Sequence, residues 1–119
     1  KRTGRTSLDE TIETINPHKA IAFIQENANA YSIAKGSRIE SEHLLKTVKA
    51  ILMNEESGSV ASKEAYALSH DTYIEKIEEI KKYTIEEEYL KMMLDAAKAR
   101  IEVWKVQEYS KRAEMKAGL

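Results

Sequence analysis

The sequence predicts an all-α chain, an elongated antiparallel helical hairpin or bundle with one C-terminal helix of about 45 residues and shorter helices before it. Two observations carry this. Of 119 residues 33% are charged and only 7% aromatic, with four Gly and one Pro. A sandwich or barrel needs turn residues every ten positions or so, whereas long solvated helices need almost none. The second observation is periodicity: from Thr72 to Ala117 there is no Gly or Pro, and apolar residues recur at steps of three and four.

Residues 1–15 read as a separate part, a mobile basic tip with Lys1, Arg2 and Arg5 around Gly4, then a weak helix with Leu8, Ile12 and Ile15 at helical spacing. Residues 16–119 read as one helical domain. Its start is marked by Asn16-Pro17. Asn is a favoured N-cap, and Pro is tolerated at the first helical position, where its missing N–H costs nothing. Ile21, Phe23, Ile24 and Ala28 give this helix an apolar side, and Asn27 and Asn29 predict a stop or kink after about three turns. The pattern resumes from Ala30 through Ala34, Leu44, Val48, Ile51 and Leu52 to Met53 as one long helix, a break at Gly36 being the alternative. A loop is expected at 54–59, a short helix at 61–68, and a cap from Ser69 or Asp71 for the last element.

That element would extend roughly 65 to 70 Å at 1.5 Å per residue, too far to bury itself alone. One stripe along it reads Ile80, Tyr83, Glu87, Leu90, Leu94, Ala97, Ile101 and Trp104. A second reads Ile85, Tyr89, Met92, Ala96, Ala99, Val103 and Val106. Two stripes imply two sets of neighbours. The first packs within the chain. The second, with Ile85, Tyr89, Met92, Ala96, Val103 and Val106 as contact residues, packs on the first helix or on another protomer and predicts a homo-oligomer, against the alternative of one wide face buried inside a monomeric bundle.

Catalytic chemistry has little to work with. Cys is absent, which removes thiol catalysis, disulfides and thiolate metal sites; the three His are scattered and no Gly-rich phosphate loop occurs. The nearest approach to a metal motif is Glu40 and His43, at the i, i+3 spacing of a carboxylate-bundle half-site, with Glu87 level with them once the hairpin is folded. Such a pair arises easily in a Glu-rich helix, so the reading is a solvated face, with Glu87 as a polar register device or turned to solvent. No metal, no cofactor and no enzymatic activity are expected.

Nineteen Lys and Arg against twenty Asp and Glu leave a net charge of −1, which points to no class of partner. The distribution is more informative. Acids outnumber bases two to one from Asp71 to Asp95, and bases outnumber acids two to one from Ala96 to the end. Lys98, Lys105 and Arg112 recur at seven-residue spacing, near Arg100, Trp104 and Tyr109. Lys98, Arg100, Lys105, Arg112 and Tyr109 are therefore candidate contacts to single-stranded DNA, through phosphate charge and base stacking. The competing reading is that these bases complement the helix dipole and lie over the apolar stripe. No apolar run approaches the ~20 residues of a membrane span, and the N-terminus carries no apolar signal core, so a cytoplasmic protein is expected.

Asn16-Pro17-His18-Lys19 with Phe23-Ile24, Ala34-Lys35 and Lys49-Ala50-Ile51-Leu52-Met53, then Ala65-Tyr66-Ala67 and the run Ala96 to Trp104 with Ser110 and Arg112, resembles a family of small helical proteins. These are uncharacterised proteins of tailed bacteriophages and prophages, encoded near genes for recombination and single-strand annealing. The resemblance covers most of Asn16 to Ala113 and carries no catalytic fingerprint. It implies a non-enzymatic accessory protein in the cytoplasm of a bacterial host, with a phage or host DNA-metabolism protein as partner. A coiled-coil structural or host-inhibitory protein that docks a protein and leaves DNA alone is the alternative.

Overall fold

The computed structural model describes residues 15–118, and among them every regular element is helical: α1 (Pro17–Glu55), α2 (Val60–Ser69) and α3 (Asp71–Lys116). Lys1, Arg2 and Arg5 lie outside the described residues, as does the weak helix expected after them apart from Ile15, which is non-helical and precedes α1. The all-α reading holds, as does the long last helix, whose 46 residues begin one position before the expected start.

The start of α1 follows the capping argument. The Asn16 side chain accepts from the backbone N–H of His18 at 2.9 Å and of Lys19 at 3.3 Å, and its carbonyl takes the first helical bond from Ala20. The expected stop at Asn27 and Asn29 does not occur: α1 runs on for 39 residues. Asn27 turns its amide inward along the helix and donates to the carbonyl of Phe23 at 2.9 Å. A side chain satisfied by the preceding turn no longer competes for the backbone as a cap. Gly36 does not break the helix either, and a Cβ placed there would meet nothing within 4 Å. Gly36→Ala is therefore expected to raise stability by about 1 kcal/mol, read as a higher urea midpoint at unchanged slope.

Between α1 and α2 the turn depends on Gly58, whose φ of +117° strains any side chain. Ser59 then caps α2, accepting from the N–H of Ser62 at 3.1 Å. The cap expected from Ser69 or Asp71 is supplied by His70 instead. Ser69 donates its hydroxyl back to the carbonyl of Ala65 at 2.7 Å, while His70 Nδ1 accepts from the N–H of Thr72 at 3.1 Å. The same residue closes α2 by donating its backbone N–H to the carbonyl of Ala67, so one residue serves two helix ends, α2 through its backbone and α3 through its imidazole.

Two compact units form. One joins 15–29 to 91–118, the other spans 30–90. In the first, Ala20, Leu94 and Ala97 are buried, with Phe23, Ile24, Ile101 and Trp104 half-buried around them. In the second, Ala34, Ser41, Leu52, Ala67 and Glu87 are buried. Here Arg38, 17 residues before the end of α1 at Glu55, meets Glu87, 16 residues after the start of α3 at Asp71. Nearly equal distances from the two helix ends are the mark of an antiparallel pairing. Lys49 reaches Glu64 at 3.4 Å and Tyr66 donates to Glu55 at 3.2 Å, which fastens α2 to the end of α1. Desolvation, reinforced by the bond to Glu55, pushes the Tyr66 hydroxyl above its ordinary value.

The packed face of α3 is the expected first stripe, each of whose eight residues is buried or half-buried. The packed face of α1 differs from the apolar reading. Leu44 and Ile51 are exposed, while Tyr31, Ala34, Arg38, Ser41, Leu45, Val48 and Leu52 alternate steps of three and four along the packed face in the second unit. The seam obeys heptad spacing but admits polar members. Ala and Ser dominate its most enclosed positions, and no large side chain is fully enclosed among the described residues. Small side chains let two helices approach closely, at the cost of a thin core.

Candidate interaction surface

The polar centre of the seam lies in the second unit. Glu87, 5% exposed, receives Nε of Arg38 on one carboxylate oxygen and Nη2 on the other at 3.3 Å. Nη1 of the same guanidinium reaches Glu42 at 2.9 Å. The fork-on-carboxylate geometry fixes register as well as charge. The hydrogen bond to Glu87 pushes the guanidinium further up from its ordinary value, so it stays cationic throughout. Glu87 is thus the inward register residue, committed to Arg38. Glu40 and His43 are exposed, and among the described residues no group of three or more His, Asp and Glu is placed to hold a metal ion.

The second stripe of α3 is exposed. Ile85 and Tyr89 are each 60% exposed, Met92 68% and Val106 65%; Val103, Ala96 and Ala99 are also open. At 100° per residue this stripe faces roughly 160° away from the seam on the same helix. The alternative of one wide face buried within the chain does not hold: the two stripes diverge, and intramolecular packing covers one of them.

The proposed DNA contacts fall into two places. Lys98, Lys105 and Arg112 share one edge of α3, with Tyr109, 76% exposed, beside them. Arg100 is not brought together with them; two residues from Lys98, it lies roughly 200° around the helix. Lys105 is held by Glu102 at 3.1 Å. Trp104 turns into the seam, so its ring does not serve as an open stacking platform.

Arg100 instead borders a groove of about 470 Å³ in the first unit. Ala20, Phe23, Met93 and Ala97 give it an apolar lining, and Lys19 and Arg100 add cations. Sequence reasoning missed this groove and missed Arg38. The groove has no local signature, because its lining comes from distant stretches. Arg38 had one: Glu87 interrupts an otherwise apolar stripe, and Arg38 is the only arginine in α1.

No helix among the described residues is long and apolar enough to cross a membrane. No family model, curated protein or solved structure matches the chain.

Proposed function

We propose that the chain is a non-enzymatic phage accessory protein, an oligomeric helical binding module of the host cytoplasm. It assists DNA recombination or replication through contacts with a phage or host DNA-metabolism protein and holds single-stranded DNA weakly. The phage setting rests on the resemblance of Asn16 to Ala113. The binding role rests on the open apolar stripe from Ile85 to Val106, since large contiguous apolar patches on a helix mark contact surfaces.

The DNA part is tested by fluorescence anisotropy with a single-stranded oligonucleotide at two salt concentrations. Weak binding that falls as salt rises is expected, and Lys98→Ala with Arg112→Ala should reduce the slope by about one to two counterions. Absence of binding at low salt removes DNA from the reading. A second reading, a coiled-coil protein that docks a protein partner without touching DNA, is favoured by one feature of the basic edge. Glu102 and Glu108 pair with Lys105 and Lys111, which lowers the positive charge offered to phosphate.

A further inference from the structure

We infer that the open stripe of α3 pairs with the same stripe of a second copy, antiparallel, about a two-fold axis between Met92 and Ala96. This deepens the oligomeric reading above and rests on it. The stripe occupies one unbroken helix, Asp71–Lys116, and its members fall at steps of four and three from Ile85 to Val106. That is the spacing of a coiled-coil seam, repeated on the face turned away from the first. It spans about 32 Å at 1.5 Å per residue, three heptads.

Side-chain size identifies the occupant and its direction. The bulky members, Ile85, Tyr89 and Met92, come first; the small ones, Ala96, Ala99 and Val103, follow. Antiparallel pairing sets Ile85 beside Val103 of the other copy, Tyr89 beside Ala99 and Met92 beside Ala96, and symmetry repeats each pair. Every layer from Ile85 to Val103 then joins a large residue to a smaller one, and the separation of the helices stays even across them, while Val106 falls opposite Lys82 at each edge of the pairing, where the lysine stem lies over it. Parallel pairing would stack Tyr89 on Tyr89 and Ala99 on Ala99, too wide at one end and hollow at the other. Flanking charge does not choose between them: Arg100 faces Glu86 of the other copy in the antiparallel pairing and Asp95 in the parallel one. The stripe's bulky half thus finds its complement in its own small half, as a two-fold contact requires. A thin intramolecular seam, with no large side chain fully enclosed among the described residues, leaves such a layer something to add.

The chain has no native cysteine, so an engineered thiol reports one position alone. Full-length Ile85→Cys and Val103→Cys proteins are oxidised separately and as a mixture, beside sedimentation equilibrium of the unaltered chain. Both positions are exposed, so folding is retained, and circular dichroism verifies it. A dimer is expected, with cross-linking in the mixture at least ~10-fold faster than in either protein alone, because only the mixed pair aligns two thiols. Cross-linking of each protein with itself would overturn the antiparallel direction while leaving self-association standing. A dimer that forms no disulfide in any sample would overturn the stripe as its contact. A monomer at the highest soluble concentration would overturn both this pairing and the oligomeric reading beneath it.

Discussion

Arg38→Ala is expected to lower the unfolding free energy by about 3 kcal/mol. The cause is what the substitution leaves behind. Glu87 would remain in the seam as a carboxylate stripped of both guanidinium bonds, at a position 5% exposed. Glu42 loses a partner too, but it is half-exposed and water replaces that bond at little cost. The pair itself is not expected to be a large source of stability, because removing two charged groups from water offsets most of their attraction. Arg38→Leu with Glu87→Leu should therefore recover most of the loss, and it should loosen the register that the fork of the guanidinium imposes. Urea denaturation of the single and double variants checks the energies. A near-zero effect of Arg38→Ala would mean that Glu87 escapes to solvent once its partner is gone, and would sink the register argument.

Leu94→Ala is expected to cost about 2 to 3 kcal/mol, while Met92→Ala, two residues earlier, should leave the stability of the single chain almost unchanged. The difference lies in helix phase. Leu94 is 7% exposed and belongs to the seam; Met92 is 68% exposed and belongs to the outer stripe. Truncating Leu94 leaves a cavity in a core too thin to close it by rearrangement. Truncating Met92 removes atoms that water already touches. If the outer stripe pairs as inferred, Met92→Ala should shift the dimer dissociation constant upward instead, by about 10-fold for two equivalent contacts. Denaturation at low protein concentration isolates the first effect, and sedimentation equilibrium measures the second. Equal stability losses for the two variants would contradict the assignment of α3's faces.

Local physical chemistry determined much of this protein before any packing is considered. Sparse Gly and Pro, the Asn16-Pro17 start and the uninterrupted run after Thr72 specify helices, because capping and propensity act within a few residues. Spacing likewise picked the seam of α3, since eight positions at steps of three and four lie on one side of any α-helix. Where local signals misled, a tertiary partner or a backbone bond had changed the balance. Asn27 reads as a stop until its amide is seen donating to Phe23; Leu44 and Ile51 read as core although they face outward. The seam of α1 was hidden because Arg38 and Ser41 do not look like core residues, and only the arrival of Glu87 from α3 makes an arginine suitable there. The groove beside Arg100 has the same origin, being assembled from 16–23 and 93–100, stretches that no window of sequence contains together. Hydrophobic period fixes which residues share a helix face; whether that face is covered depends on which other helix arrives, and that is a property of the folded chain.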